Sequence, residues 1–308
     1  MARVSAIIVT IGAKDYIKPC LDSLLKQTCP PYEIIVIDNS LKPDLAGLLN
    51  KLYPSVKVYS GPENLFYAPS LNKGIGEARG EFILCLNDDV VLDKDFIREE
   101  LNGFLINEKI GMAGGKILRG DGKTLDSTGL FLTLWRTAKE RGYGKPDSGQ
   151  FEKSGFIFGV SGAAAIYRRK MLEEIKEGTG YFDSGLHMFY EDMDISWRAN
   201  KRGWLAYYIP TAKAFHVRGG SSRPDSGIDK AIARRYLNDQ LHYELIKNRY
   251  LTILKNETFL GSLLHLVPIL IYDLCAWSFV LFFRPKVLKL FFNRLRRPDN
   301  IKQKLLTI

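Results

Sequence analysis

Strand and helix patterns alternate at short intervals along the first 118 residues, and this alternation constrains the fold more than any other feature of the sequence. Short apolar runs rich in Val and Ile alternate with segments in which apolar residues have helical spacing. This βαβα order is typical of a mostly parallel sheet with helices on both faces. The predicted strands are 3–10, 33–38, 56–60, 82–86 and 110–118, and the predicted helices are 15–27, 43–52, 68–78 and 94–107.

An amide and two carboxylates, Asn87, Asp88 and Asp89, directly follow the apolar run 82–86. Such a run indicates a strand buried on both faces, so the acids fall at its carboxyl end, where open α/β sheets bind ligands. Neighbouring carboxylates repel each other unless a cation lies between them, and their hard oxygen atoms suit Mg²⁺ or Mn²⁺. A solvated turn with a helix cap is the alternative for the two acids alone.

Three other polar groups are candidates for chemistry. Asp38 follows the second strand, where it could hold a ribose or a base or simply form an Asx turn. Glu191 and Asp192 open a predicted helix, whose dipole favours acids and would keep Asp192 ionised as a proton acceptor. His216 is either a packed side chain or, with the Asp pair, a third metal ligand. No Gly-x-Gly-x-x-Gly follows the first strand, which argues against a dehydrogenase.

Composition bounds the remaining possibilities. A chain of 308 residues with 46% hydrophobic content can form one large domain and an appendage. The four cysteines lack metal-type spacing and imply no disulfide framework, so a reducing compartment fits. The amino terminus shows no apolar signal segment, and we therefore expect a cytoplasmic protein.

The carboxyl-terminal part differs from the rest. From residue 229 onward the patterns are helical, and the last 25 residues contain eight basic residues and one acidic residue. The mainly apolar segment 259–283 is long enough to cross a bilayer, but it contains Pro268 and Asp273. A single crossing would separate the amino-terminal domain from the basic tail, so an in-plane or re-entrant helix pair bent at Pro268 is expected.

The segment 286–297 is amphipathic. Its polar face has Lys286, Lys289, Asn293, Arg296 and Arg297, and its apolar face has Val287, Leu288, Phe291, Phe292 and Leu295. This pattern is typical of a helix that lies in the lipid headgroup plane on an anionic membrane surface. The alternative is a helix packed on the catalytic domain with its basic face in water.

The second half of the presumed catalytic region begins with a segment without strong periodicity. Residues 119–155 are rich in Gly, Asp, Lys and Ser, and we interpret them as an elaborated loop region over the site. Ordered patterns then return. They predict a strand within 158–167, helices at 168–176 and 191–201, and a strand at 205–209 followed by the segment 214–217.

Eight motifs occur in order along the chain. They are Val4-Ser5-Ala6-Ile7-Ile8-Val9-Thr10, Ile35-Val36-Ile37-Asp38-Asn39-Ser40, Glu63-Asn64-Leu65 with Asn72-Lys73-Gly74, Leu86-Asn87-Asp88-Asp89, Ser161-Gly162-Ala163, Glu191-Asp192-Met193-Asp194 with Arg198, Gly203-Trp204 and His216. Together they resemble the motifs of a family 2 glycosyltransferase with a GT-A fold, closest to bacterial rhamnosyltransferase-like members. The resemblance covers roughly residues 3–220.

The resemblance implies a role for each matching residue. The residues expected to bind the donor nucleotide are Thr10, Asp38, Asn64, Asn72, Asn87 and Asp88. Asp89 would be the principal ligand of Mg²⁺ or Mn²⁺, and His216 would complete the metal site. Asp192 matches the catalytic base, and Glu191 would help to position the acceptor. The aromatic residue and Asn that often follow the first Thr are replaced by Ile11 and Gly12, which leaves the nucleotide base open.

The implied fold is a GT-A (Rossmann-like), mixed, mostly parallel sheet flanked by helices, with a helical, membrane-associating extension. Residues 1–118 would bind a dTDP- or UDP-linked sugar, 119–228 would bind the acceptor and catalyse transfer, and 229–308 would form the amphipathic tail. The expected reaction is inverting transfer of a sugar, such as rhamnose from dTDP-rhamnose, to a polyprenyl-diphosphate-linked saccharide in cell-envelope or lipopolysaccharide assembly, at the cytoplasmic face of the inner membrane.

Several alternatives stay open at this point. A nucleotidyltransferase would share the sheet and the metal, and a UDP-hexose-dependent transferase could act on another acceptor. A processive synthase would normally show a Gln-x-x-Arg-Trp segment and several membrane spans, and neither is evident. The non-enzymatic alternative is a basic membrane-binding protein. No nucleic-acid partner is expected, and a homodimer through the carboxyl-terminal helices is an open question.

Overall fold

The computed structural model describes residues 2–12, 16–178, 180–218 and 237–295. The strands are β1 Val4–Thr10, β2 Glu33–Asp38, β3 Val56–Ser60, β4 Phe82–Asn87, β5 Val90–Leu92, β6 Ile110–Arg119, β7 Leu125–Ser127, β8 Leu130–Leu132, β9 Ala138–Glu140, β10 Gly155–Ile157, β11 Ala164–Arg168 and β12 Leu205–His216. The helices are α1 Ile17–Leu25, α2 Pro43–Leu52, α3 Tyr67–Glu77, α4 Phe96–Gly103, α5 Arg169–Glu174, α6 Glu191–Lys201, α7 Asp239–Asn256, α8 Phe259–Leu264, α9 Leu266–Phe283 and α10 Pro285–Leu295.

The central sheet is mixed and mostly parallel, as the sequence predicted. Its strand order is β10-β12-β6-β11-β4-β1-β2-β3, with β5 added to β12 and β7 added to β6. After β3 the chain returns to the other side of β1, so the sheet order reverses between β1 and β4. A reversal of this kind opens a crevice at the carboxyl ends of the two strands, which is the usual ligand site of such sheets.

Side chains alternate between two cores on opposite faces of the sheet. In β1, Ala6 and Ile8 belong to one buried cluster, and Ile7 and Val9 belong to the other. This is the period of two that a strand buried on both faces requires, and it explains why the strand has no polar side chain in its middle. Helices cover both faces, so the sheet is a rigid frame for the residues at its edge.

The region 119–155 is more regular than the sequence indicated. It contains β7, β8 and β9, and β10 begins at its last residue; β8 and β9 form a separate two-stranded sheet. The loop prediction was wrong there because strands of three residues are too short to show alternation. The prediction of separate segments 205–209 and 214–217 was also wrong, since β12 is one strand with a register shift between Ile209 and Lys213.

The described residues fall into two compact units, one within 1–132 and 138–221 and one within 133–137 and 222–308. The predicted boundaries after residues 118 and 228 stay predictions. In the second unit, Tyr243 and Ile246 of α7 pack with Val280 of α9 and Val287 of α10. The apolar face of α10 is therefore used for packing, while Arg296 and Arg297 of the predicted amphipathic segment lie outside the described residues.

The apolar segment 259–283 consists of α8 and α9. The predicted bend at Pro268 is wrong, because the helices separate at His265 and Pro268 lies in the first turn of α9, where its missing N–H costs no helical hydrogen bond. Among the described residues, α9 is the one helix with the length and apolar composition of a membrane span, and 6% of that span is buried. A single helix with these properties is weak evidence for a span.

Candidate active site

The carboxyl ends of β1 and β4 are joined by side chains. The hydroxyl of Thr10 donates a hydrogen bond of 2.6 Å to Asp88 Oδ2, and the backbone N–H of Gly12 donates to Thr10 Oγ1 at 3.0 Å. Gly12 has φ +63°, a left-handed conformation that glycine adopts without strain. Thr10 is buried and holds Asp88, so its contact with the expected nucleotide stays a prediction.

A cavity of about 400 Å³ opens beside Asp38, at the carboxyl ends of β2 and β3. Its lining residues are Asp38, Leu41, Lys42, Ser60, Gly61 and Pro62. Asp38 Oδ1 accepts a hydrogen bond of 2.8 Å from the backbone N–H of Ser40, which is the Asx turn considered from the sequence. The Asx turn fixes the carboxylate at the cavity wall, and the two interpretations of Asp38 are therefore compatible.

The three predicted amide residues have protein partners. Asn64 Oδ1 accepts from the backbone N–H of Phe66, and Asn87 Oδ1 accepts from the Tyr67 hydroxyl at 2.7 Å. The Asn72 carboxamide holds the segment 181–184: its oxygen accepts two backbone N–H groups, and its nitrogen donates to the Phe182 carbonyl and to a serine hydroxyl. Asn72 therefore positions a loop here, and donor binding by its side chain has no support in these contacts.

Asp89 and His216 lie together although they are far apart in the sequence. The antiparallel pairing of β12 with β5 places His216 opposite Val90, next to Asp89. The distance from His216 Nε2 to Asp89 Oδ1 is 3.1 Å, and His216 Nδ1 lies 2.8 Å from Asp126 Oδ2. Burial opposes the charged imidazole, but the hydrogen bonds with Asp126 and Asp89 outweigh it and raise the pKa of His216 to about 9.

Asp126 was missed by the sequence analysis. Burial disfavours its charge, yet its hydrogen bond with His216 and the nearby Arg218 guanidinium lower the pKa of Asp126 to about 2. Arg218 Nε donates to Asp126 Oδ1 at 2.5 Å. Asp126 thus holds the imidazole from behind, as carboxylates do behind metal-binding histidines. Nothing in its local pattern, an Asp within a three-residue strand, indicates this partnership.

The donor set of Asp89 and His216 fits a divalent cation of the Mg²⁺ or Mn²⁺ type. Without a cation, His216 Nε2 and Asp89 Oδ1 form a hydrogen-bonded ion pair at 3.1 Å, and a bound cation would take the place of the proton between them. No three His, Cys, Asp or Glu side chains among the residues described here converge into a complete metal site. Such ions commonly take one or two protein ligands and complete their coordination with substrate phosphates and water.

Asp126→Asn is expected to weaken Mn²⁺ binding about 10–100-fold, because the amide leaves His216 less firmly oriented and less basic. The measurement is the increase in melting temperature on Mn²⁺ titration, taken relative to each protein without metal. This normalisation separates metal affinity from any loss of stability caused by the unpaired Arg218. An unchanged Mn²⁺ response in a folded variant would show that Asp126 does not support the cation site.

The start of α6 places Glu191 and Asp192 at the site. The two preceding residues, Phe189 and Tyr190, both have left-handed φ values, +70° and +69°, which are uncommon for residues with large side chains. Asp192 Oδ2 accepts from the backbone N–H of Gly162 at 3.2 Å. Backbone strain of this kind persists where the surrounding structure enforces it, and here it fixes the first turn of the helix.

The carboxyl groups of Glu191 and Asp192 have pKa values above the ordinary range for acids. Burial and the neighbouring charge of Asp192 raise the pKa of Glu191 to about 8. Burial also raises the pKa of Asp192, against the hydrogen bonds that its carboxylate accepts from the backbone N–H groups of Gly162 and Met193. A carboxylate with a raised pKa is a stronger base once it has lost its proton. The third acid of the turn, Asp194, instead forms a buried ion pair with Arg198 at 2.8 Å.

Hydrogen bonds connect this turn with the acidic end of β4. Gly162 donates to Asp192, the Gly162 carbonyl accepts from the Tyr67 hydroxyl at 3.0 Å, and that hydroxyl also contacts Asn87 Oδ1. The Asn87 backbone N–H donates to the carbonyl of Ala163. The predicted catalytic turn and the predicted metal-binding element are therefore parts of one hydrogen-bonded network.

Glu140, at the end of β9, is a second residue missed by the sequence analysis. It accepts hydrogen bonds from the hydroxyls of Ser127 and Ser161, the latter at 2.9 Å. Burial of the carboxyl group and the negative charge of Asp192 raise the pKa of Glu140 to about 8. It lies in the region interpreted as a loop, where no periodic signal pointed to it.

Glu140→Gln is expected to stabilise the protein at pH 8 but not at pH 4.5. The folded-state pKa of about 8 exceeds the ordinary value of 4.5, so the folded state binds more protons and Glu140 makes stability fall as pH rises between these values. Glutamine mimics the neutral form. At about 1.4 kcal/mol per pKa unit, the stability difference at pH 8 is up to several kcal/mol, so the variant should melt several degrees higher than the unmodified protein there. A difference that is constant from pH 4.5 to 8 would contradict this account.

Comparisons with known proteins identify a family and several sequence relatives, of which three are described. The sequence model of "Glycosyl transferase family 2" matches residues 5–176. The O-antigen biosynthesis protein RfbC of Myxococcus xanthus is 26% identical over 234 residues, which are 73% of this chain and 18% of RfbC. N-acetylglucosaminyl-diphospho-decaprenol L-rhamnosyltransferase of Mycobacterium tuberculosis is 24% identical over 247 residues, with coverages of 71% and 77%. Poly-beta-1,6-N-acetyl-D-glucosamine synthase of Staphylococcus aureus is 22% identical over 218 residues, 68% of this chain and 48% of the synthase. The chain therefore spans under a fifth of RfbC and about half of the synthase.

Solved structures show the same fold. The mannosyltransferase PcManGT of Pyrobaculum calidifontis, in complex with GDP-Man and Mn²⁺, superposes with a TM-score of 0.58 at 17% identity, covering 96% of this chain and 75% of that one. GalNAc-T7 with UDP, GalNAc and Mn²⁺ gives a TM-score of 0.57 at 17% identity, with coverages of 70% and 43%. These neighbours have the GT-A fold, and the predicted sheet architecture is confirmed.

Proposed function

Because this chain belongs to glycosyl transferase family 2, a family of glycosyltransferase enzymes, we propose that it transfers a sugar from a nucleotide-sugar to a polyprenyl-diphosphate-linked saccharide with inversion. The observation that carries the proposal is the single network that joins Asp192 to the element Asn87-Asp88-Asp89. A base and a site for a charged leaving group are thus held by one rigid sheet edge.

The residues have separate tasks in the proposed mechanism. The cavity beside Asp38 would take the nucleoside, with the carboxylate as a hydrogen-bond acceptor. Asp89 and His216 would hold a divalent cation, which supplies positive charge for the diphosphate leaving group when bound. Two of the solved neighbours contain Mn²⁺, which supports the proposal that this chain uses a divalent metal.

Asp192 would accept the proton of the acceptor hydroxyl as its oxygen attacks the anomeric carbon. The bond from that carbon to the phosphate oxygen breaks in the same displacement, and the nucleoside diphosphate leaves with the electron pair. Glu191 would position the acceptor. One base suffices for inversion, whereas retention through a covalent intermediate would need a second carboxylate placed as a nucleophile.

The names of the relatives support a particular acceptor and donor. The mycobacterial relative is named for rhamnosyl transfer to a decaprenyl-diphosphate-linked sugar, and RfbC is named for O-antigen biosynthesis. We therefore propose dTDP-rhamnose as donor and cell-envelope polysaccharide assembly as the context. UDP-hexose transfer to a growing polysaccharide is the second candidate, because the staphylococcal relative is a synthase of poly-N-acetylglucosamine.

A lipid-linked acceptor places the enzyme at the membrane. We propose that it acts at the cytoplasmic face of the inner membrane, bound to anionic lipid as a peripheral or monotopic protein. Support comes from the basic carboxyl-terminal sequence and from the exposed apolar residues of α8 and α9. A homodimer through the carboxyl-terminal helices is the competing use of that surface.

The proposed reaction is tested with the full chain, Mn²⁺ and a panel of dTDP- and UDP-sugars. Each donor is offered with a polyprenyl-diphosphate-linked N-acetylglucosamine and, separately, with soluble sugars. We expect nucleoside diphosphate release with the lipid-linked acceptor and an inverted anomeric configuration by NMR. Turnover with soluble sugars alone would contradict the acceptor, retention would contradict the mechanism, and release of pyrophosphate would indicate nucleotidyl transfer.

A further inference from the structure

Among the described residues, many of the exposed large apolar side chains lie on α8 and α9. Twelve large apolar side chains between Phe259 and Phe283 are 46–82% exposed, and we call them the α8–α9 face. No residue of α8 is buried, and in α9 the buried residues are Ala276 and Val280. A continuous apolar surface of this extent is unusual on a water-soluble protein and marks a membrane or protein interface.

The opposite side of α9 is bound to α7 in antiparallel order. Asp273 pairs with Arg249 at 2.5 Å, and the Trp277 indole N–H donates to the Tyr250 hydroxyl at 2.9 Å. Further along, Phe279 stacks on His242, and Arg284, just past the end of α9, reaches Asp239 at 3.3 Å. These contacts run from Asp273 to the end of α9 and hold its carboxyl-terminal half against α7.

This partnership argues against a membrane-spanning α9. The helix α7 includes five charged residues, Asp239, Glu244, Lys247, Arg249 and Lys255. If α9 crossed the bilayer with its contacts intact, α7 and these charges would enter the hydrocarbon with it, which is unfavourable for each charge. The 18 residues of α9 also extend only about 27 Å, slightly less than a typical hydrocarbon core of about 30 Å.

The charges near the α8–α9 face favour binding of this face to lipid rather than to a second copy of the chain. Between residues 259 and 295 the only acidic residue is Asp273, and it is paired with Arg249. The basic residues Lys286 and Lys289 of α10 are exposed. Anionic headgroups complement these cations, whereas a twofold dimer would use the same patch on both subunits and bring like charges close together.

We infer that the α8–α9 face inserts into one leaflet with α9 parallel to the bilayer plane, so that the protein is monotopic and α9 does not span. The inference rests on the proposed membrane location and adds the depth and direction of insertion. In this arrangement, one side of α9 contacts acyl chains while the other keeps its contacts with α7. The polar ends of Lys286 and Lys289 lie at headgroup level.

The depth of individual positions tests this arrangement. In full-length protein with Cys29 and Cys275 replaced by Ser, a cysteine introduced at Val267, Leu274 or Leu281 is labelled with an environment-sensitive fluorophore. Cys20 and Cys85 are buried and stay unlabelled. The protein is bound to vesicles of phosphatidylethanolamine and phosphatidylglycerol that contain lipid nitroxides at a shallow or a deep acyl position. Leu105→Cys, at a residue 83% exposed in the other unit, is the water-side reference.

In-plane insertion predicts that the three sites are quenched to within about twofold of one another, and more by the shallow nitroxide than by the deep one. A span predicts that Leu274, in the middle of α9, is quenched most by the deep nitroxide and that the two end positions are quenched most by the shallow one. That result would overturn the inference but leave the membrane location intact. Absence of quenching at all three sites would contradict both and would favour a protein dimer.

A charge placed on the face provides a second test. Leu274→Glu combined with Leu281→Glu changes exposed side chains, so folding should be retained, and vesicle flotation should fall at least about tenfold. Leu105→Glu is the matched control and should float like the unmodified protein. Flotation is measured without any sugar donor, so failure of the proposed catalysis would not affect it. Unchanged flotation of the folded double variant would overturn the inference.

Discussion

Asp192→Asn is expected to lower kcat by about 10²–10⁴-fold, which is the usual contribution of a general base, while nucleotide-sugar binding is retained. The amide keeps the size of the carboxylate and can still accept the hydrogen bond from Gly162, but it cannot take the acceptor proton. Burial raises the pKa of Asp192, so removing its charge should leave the melting temperature unchanged or higher. Single-turnover transfer and donor titration measure the two effects separately.

Asp194 is the matched control, because it lies in the same helical turn and is also an acid. Its carboxylate is fully buried against Arg198, which in turn donates to the carbonyls of Ile175 and Tyr181. Asp194→Asn is therefore expected to lower stability, by about 3–5 kcal/mol for a broken buried pair, and not the turnover of molecules that remain folded. If Asp192→Asn retained normal turnover, or if the two variants behaved alike, Asp192 would not be the base.

Asp89→Asn is expected to reduce both Mn²⁺ binding and turnover by about 10³-fold, since a bound cation contributes several kcal/mol to stabilisation of the leaving group. The substitution keeps the shape of the side chain and leaves the bond between His216 and Asp126 in place. A bound ligand stabilises the folded state according to its affinity. We therefore expect that Mn²⁺ no longer raises the melting temperature of the variant. Chelation of metal should reduce unmodified enzyme to a similar level.

Glu108, an exposed acid that precedes β6 at the amino ends of the parallel strands, is the control for a general charge effect. Glu108→Gln removes the same charge at the end of the sheet opposite to Asp89 and should leave the Mn²⁺ response and turnover unchanged. A normal Mn²⁺ response in Asp89→Asn would exclude Asp89 as the principal ligand. A lost response with normal turnover would show that the bound ion is not needed for transfer.

The helices and strands of the amino-terminal half could be predicted closely because the sequence pattern of each element lies within the element itself. The helix α2 occupies Pro43–Leu52, the predicted range, and β4 extends the predicted strand by one residue. Strands buried on both faces need unbroken apolar runs, and helices need apolar residues every third or fourth position, so each element is visible in its own sequence. Polar residues at strand ends then indicate the functional edge of the sheet.

The rest depended on contacts between distant segments. Asp126 and Glu140 belong to strands of three residues, and their importance comes from His216, Ser127 and Ser161 rather than from neighbours in a pattern. Asn72 matched a motif, but the loop at 181–184 uses its carboxamide. A motif specifies a residue type at a position, and the groups it faces depend on the tertiary fold.

The sequence by itself determined the α/β class, the family and the acids at the end of β4, because hydrophobic periodicity and short motifs are local properties of the chain. The tertiary structure alone decided that Asp126 holds the imidazole of His216 from behind and that side chains of α7 contact one side of α9. Each of these depends on pairing across more than twenty residues, where strand register and helix packing set which side chains meet.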